Sequence, residues 1–152
     1  MILAPAFRTL RIAALAVLFS SPVMAAAPAP QEIANARIAG FKKMGAAMKA
    51  IKTGALDKAK MLAAVQTIAA TSKGQGKLFP AGTGPTAGIK TDALPGIWTS
   101  RATFDANMAK LVGESAKLVT VVGAGNAAAV DAQVKAVGAV CSACHRQFRA
   151  DT

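Results

Sequence analysis

The sequence predicts an all-α protein, an antiparallel four-helix bundle, and three observations carry that expectation. Apolar residues recur at helical spacing in four segments. Clusters of Gly, Pro and Asn separate those segments. The composition, 53% hydrophobic with 5% aromatic residues and no Tyr, suits closely packed helices better than a sheet. A length of 152 residues allows one compact domain.

The first helix is expected from about Gln31 to Thr53, with Ile33, Arg37, Phe41, Met44, Met48 and Ile51 along one face and Gly54 at its end. Asp57 is the expected cap of a second helix that runs to about Ser72 and turns Met61 or Leu62, Val65, Ile68 and Ala69 inward. Residues 74–97 are rich in Gly, Pro and Thr and read as a long crossover without regular structure. Their apolar members Leu78, Phe79, Leu94 and Ile97 are expected to pack back on the core. A third helix follows from about Trp98 to Val122, with Phe104, Met108, Leu111, Ser115 and Leu118 on one face. Residues 123–126 make a tight turn into a fourth helix, from about Ala127 to Ala150. Its stripe of Val130, Val134, Val137, Cys141, Cys144 and Phe148 faces the core.

The N-terminus reads as a secretion signal over residues 1–25. Arg8 and Arg11 supply a basic start, Ile12 to Phe19 an apolar run, and the small residues around Ala25 and Ala27 the cleavage sites. The apolar run is shorter than the roughly 20 residues that a membrane-spanning helix needs. The mature domain, residues 28–152, is therefore expected in the periplasm without a membrane anchor. Loss of Arg8 and Arg11 leaves 16 basic side chains against 7 acidic and lowers the formal charge from +11 to +9. The lysines fall on presumed helix backs without interleaved aromatics, which argues against nucleic-acid binding and leaves a solvated face or a steered acidic redox partner.

The chemistry lies in Cys141-Ser142-Ala143-Cys144-His145, which holds both cysteines and the only histidine of the chain. C-x-x-C-H is the attachment signature of haem c: two thiols form thioethers with the vinyl groups, and the adjacent imidazole takes an axial iron position. In an exported protein a disulfide is the competing reading of two cysteines, and a redox dithiol would normally follow a strand. A zinc site lacks a fourth protein ligand. His145 is thus the expected iron ligand. With no second His, the other axial position is either a Met (Met44, Met48, Met61 or Met108) for electron transfer or open to a small gas.

Taken together, residues 37–49, Leu78 to Thr83, Ile97-Trp98, and Cys141 to His145 with Phe148-Arg149 resemble the cytochrome c′ family, the class II c-type cytochromes. The resemblance implies a four-helix bundle with one covalent haem c in its core. It places Phe41, a non-ligating side chain, on the distal face of five-coordinate iron, Arg37 against a haem propionate, and Arg149 on the proximal side. Met44, Phe79, Trp98 and Phe148 would complete the pocket. It further implies binding of nitric oxide and carbon monoxide, a homodimer through the first two helices, and a carrier rather than an enzyme. A peroxidase would need a distal acid–base group that the sequence does not offer. The competing reading within the family is a six-coordinate, low-spin, c-556-like electron carrier with an axial Met.

Overall fold

The computed structural model describes residues 27–54 and 56–151, so the leader expected over residues 1–25 lies outside the described residues. Helix α1 spans Pro30–Lys52. Pro30 opens it at no cost in backbone donors, because the first amides of a helix are unpaired in any case. Glu32 accepts the Ala29 amide at 3.0 Å and sets a negative charge on the positive end of the helix dipole. Gly54, with φ of +68°, turns the chain out of α1 into the left-handed region that favours glycine.

Helix α2, Lys58–Gln75, begins at Asp57, whose carboxylate accepts the Lys60 amide at 2.8 Å. The crossover contains two 3₁₀ turns, Gly76–Leu78 and Pro85–Ala87, and a single-turn helix α3, Gly96–Thr99. Helix α4 spans Arg101–Ala124 and stops at Gly125, φ +77°. Asn126 then caps α5, Ala127–Phe148, by accepting the Ala129 amide at 3.0 Å.

Four long helices, α1, α2, α4 and α5, form the bundle. Helix α1 packs on α2, α2 on α4 and α4 on α5. Val65, Ile68, Phe104, Leu118 and Val137, each no more than 1% exposed, mark the centre of the core. Gln133 of α5 donates to the carboxylate and the backbone carbonyl of Glu114, at 2.6 and 3.0 Å, and fixes the register of the last two helices. Helix α5 is long and apolar enough to cross a membrane, by length and composition only. In the fold its apolar side serves the bundle instead.

Three of the boundaries that depart from expectation do so for a local reason. Helix α2 runs beyond Ser72 to Gln75, whose side chain is buried against α1. The third long helix starts at Arg101 rather than Trp98, because Ser100 takes φ of −116° and ψ of 47° and breaks the turn begun by α3. Helix α5 ends at Phe148, not Ala150. There the backbone is drawn into an antiparallel bridge between Arg149 and Ala93, with the Leu94 amide on Phe148 O (3.0 Å) and the Ala150 amide on Asp92 O (2.8 Å).

Among the described residues, Ser115 Oγ is the buried side-chain polar atom without a hydrogen-bond partner, at a position 0% exposed. Ser115→Ala removes an unpaired hydroxyl and is expected to leave stability unchanged or raise it. By contrast, Asn126→Ala removes the cap of α5 and is expected to cost about 1 kcal/mol. Urea unfolding of the two variants beside the parent protein distinguishes these outcomes.

Candidate functional site

Helices α1 and α5 both line a cavity of about 510 Å³, to which α4 and residues 91–93 of the crossover also contribute. The wall on α1 is Arg37, Phe41, Met44, Met48 and Lys52, which repeat at three and four residues and so occupy one face. The wall on α5 follows the same rule with Val137, Cys141, Cys144, His145 and Phe148. Both thiols and the imidazole therefore open onto one space because the motif is folded as helix.

The thiols of Cys141 and Cys144 are free and half-buried. Burial pushes both up, with the neighbouring Cys141 adding to the rise at Cys144 and the Lys52 ammonium pulling Cys141 the other way. Burial, seconded by the positive charge of Arg149, lowers His145, so its imidazole is neutral near pH 7 and has a nitrogen lone pair to offer a metal. Lys52 reaches across from the end of α1: its Nζ lies 3.8 Å from where a Cβ on Gly138 would stand.

Arg37 is 1% exposed, so its guanidinium lies inside the fold. One guanidinium nitrogen donates to Leu78 O (3.3 Å) and Thr83 Oγ1 (3.0 Å), the other to Thr83 O (2.7 Å) and Thr91 Oγ1 (3.0 Å). The guanidinium also stacks 4.7 Å from the Phe79 ring centre. Among the described residues no carboxylate lies within ion-pair distance of it. Desolvation lowers the Arg37 pKa, yet an arginine remains charged. A cation is thus buried at the cavity wall among neutral acceptors.

Phe41 is half-buried at the cavity, its ring 6.3 Å from that of Phe79 in an edge-on arrangement. Phe79 continues to Phe104 at 4.7 Å, and Phe104 to Phe148 at 5.5 Å. Phe41, Phe79 and Phe148 all line the cavity, as does Met44. Trp98 is not among the lining residues but stands behind them, its ring 6.1 Å from that of Phe79. Its indole N–H donates to Pro80 O at 2.9 Å and its ring lies over Gly84, where a Cβ would come within 2.9 Å of it. The crossover thus holds the ring in place.

Arg149 lines the cavity but not from a helical face shared with His145, since its backbone is extended at φ −126° and ψ 135°. Its Nε stands 4.0 Å from the Asp92 carboxylate. Met108, a candidate ligand from the sequence, lines the cavity, and Thr91, Asp92, Lys52 and Asn107 also line it without having been singled out. Helical spacing from Met44 and Met48 could have found Lys52, and spacing from Phe104 could have found Asn107. Thr91 and Asp92 carry no such signal, because a loop has no period.

The donor set fits one covalently held haem. Two thiols and a neutral imidazole sit on one turn of helix beside an apolar cavity whose volume is within the range of about 300–1,000 Å³ typical of cofactor pockets. Arg37 provides an uncompensated positive charge at the wall, suited to an anionic substituent.

Known proteins point the same way. The family model described as Cytochrome C' matches residues 32–149. Cytochrome c' of Allochromatium vinosum is 33% identical over 136 residues, covering 86% of this chain and 88% of its own. Cytochrome c-556 of Agrobacterium tumefaciens is 36% identical over 114 residues, covering 72% and 89%. Among solved structures, a cytochrome c' with ligand-controlled dimer dissociation is similar at a TM-score of 0.76 and 32% identity, covering 83% of this chain and all of that one. A nitric oxide complex of a mutant cytochrome c prime from Alcaligenes xylosoxidans is similar at 0.71 and 26%, covering 80% and 97%.

The Arg37 cluster generates a prediction of its own. Thr83→Val removes the hydroxyl that accepts from Arg37 and donates to Pro80 O, and is expected to destabilise the protein by about 1–3 kcal/mol. Thr83→Ser retains the hydroxyl and is expected to recover most of that loss in thermal denaturation.

Proposed function

The chain belongs to the cytochrome c′ family, whose members carry a covalently bound haem c, and on that premise we propose that it is a periplasmic carrier that binds nitric oxide, and carbon monoxide in the ferrous state. When bound, the haem supplies an iron position for a diatomic gas and a one-electron couple. The proposal rests on one observation above the rest: Phe41, a side chain with no ligating atom, walls the cavity from the helix opposite His145.

In this reading Cys141 and Cys144 anchor the haem through thioethers and His145 takes the axial iron position. Phe41 crowds the opposite face, and its contact with Phe79 restrains it there. The wall of Phe41, Met44, Met48 and Phe79 is apolar, which favours small ligands that need no hydrogen-bond donor. Arg37 meets a propionate with the charge it does not spend on a carboxylate, and Arg149 stays on the His145 side, where burial first and the Arg149 charge second lower the His145 pKa. The nitric oxide complex of the similar Alcaligenes protein supports the choice of ligand.

A second reading keeps its place on a specific observation. Met44, Met48 and Met108 all line the cavity, and the relative from Agrobacterium is a cytochrome c-556. An axial Met from this set would give a six-coordinate electron carrier. The three are buried in the hydrophobic core at 6%, 9% and 5% exposure, where a flexible thioether serves as packing, and this favours the open position.

The ferrous protein is expected to show a high-spin absorption spectrum that changes on addition of carbon monoxide. A sharp low-spin spectrum that resists carbon monoxide would establish the axial-Met reading instead. Phe41→Ala is expected to accelerate carbon monoxide association by at least about tenfold, the equivalent of roughly 1.4 kcal/mol of steric barrier. An unchanged rate places Phe41 away from the ligand.

The exposed strip of α1 bears Lys42, Lys43 and Lys49 beside the small Ala46. One of the similar structures is a ligand-controlled dimer, and in a dimer formed through this strip like charges oppose each other and salt screens them. Sedimentation is expected to show the dimer fraction rising between low and physiological ionic strength. A falling fraction would point to a different interface.

A further inference from the structure

We infer that Gln75, at the end of α2, is a positioning residue for the distal side of the haem: its amide braces the turn of α1 that carries Phe41. The inference rests on the distal role proposed for Phe41 and extends it to a residue outside the cavity lining. Gln75 is 3% exposed, and its Nε2 donates to the backbone carbonyl of Arg37 at 2.6 Å. That carbonyl is the one to which the Phe41 amide bonds in an α-helix, four residues on. A single acceptor thus holds the amide of Phe41 along the helix and the side chain of Gln75 from behind.

Steric fit makes the brace tight. The amide of Gln75 lies against Gly40, the residue next to Phe41, so closely that a Cβ there would meet its Nε2 and Oε1 at 2.5 Å. A glycine inside a helix is less favourable than alanine, and at this position it makes room for Gln75. The guanidinium of Arg37 meanwhile ties the same turn to the crossover at Thr83 and Thr91. The α1 turn from Arg37 to Phe41 is therefore clamped by α2 at its carbonyl and by the crossover at its side chain. Phe41 has one exit left to it, rotation of its own ring against Phe79.

A ligand arriving at the distal face must displace Phe41, either by rotating the ring or by shifting the turn. Gln75 blocks the second route. Without the brace the turn yields, and the ligand binds faster with no change on the His145 side. The test is made on the haem-loaded protein with carbon monoxide as probe. Gln75→Ala is expected to raise the association rate by about tenfold, the effect of one buried hydrogen bond on a barrier. Amide hydrogen exchange of the 37–44 segment should rise in parallel, a readout independent of gas binding.

Gly40→Ala, which collides with Gln75, is expected to act in the same direction. In Gly40→Ala/Gln75→Ala the new methyl occupies the space of the lost amide, and exchange in the segment should return toward the parent value. Loss of thermal stability with unchanged carbon monoxide rate and unchanged exchange in Gln75→Ala would overturn the inference and leave Gln75 a packing residue. If Phe41→Ala leaves the rate unchanged, the distal role of Phe41 fails. If Phe41→Ala accelerates binding and Gln75→Ala does not, the brace alone fails.

Discussion

The buried guanidinium of Arg37 is the constraint on which the rest of this structure depends. The crossover between α2 and α4 has no regular hydrogen-bonding pattern of its own over most of its length, and its carbonyls and hydroxyls need partners once they are covered. Arg37 supplies four contacts from one side chain, to Leu78, Thr83 and Thr91. A rigid, planar fork of donors suits this task, where a lysine would offer a single point charge. The arrangement leaves a full positive charge in a desolvated place, tolerable only because its donors are occupied and the faces of Phe79 and Trp98 lie 4.7 and 5.7 Å away.

From that anchor the cavity follows. With the crossover drawn onto α1, Phe79 comes inward and joins Phe41 on one side and Phe104 on the other, and Phe104 meets Phe148 of α5. The aromatic series spans from the helix opposite the haem motif to the helix that bears it. The end of α5 is tied back to the same crossover by the bridge between Arg149 and Ala93. One loop thus sets the positions of both walls.

Periodicity made the helical parts legible in the sequence. The faces of α1 and α5 could be read because residues three and four apart must share a side, and the cavity walls are those faces. The cap at Asp57 and the turns at Gly54 and Gly125 were legible because their chemistry is local. What escaped was tertiary. Nothing near Trp98 in sequence says that Gly84 leaves space for its ring, and nothing near Arg149 says that Ala93 will take its backbone out of the helix. Gln75 went unnoticed for the same reason: a polar residue at a helix end reads as solvated until Gly40, 35 positions earlier, is placed beside it.

The separation of α1 from α5 has a thermodynamic consequence. With the proposed haem in the cavity between them, the first and last helices would meet through a cofactor, and the bundle would gain part of its stability from it by mass action, as from any ligand of the folded state. For a freely exchanging group the gain would fall with dilution. The thioethers proposed on Cys141 and Cys144 would remove that dependence, because a tethered group remains at a high effective concentration however dilute the protein. Covalent attachment in this fold would then be as much a device for holding two helices together as a device for keeping iron.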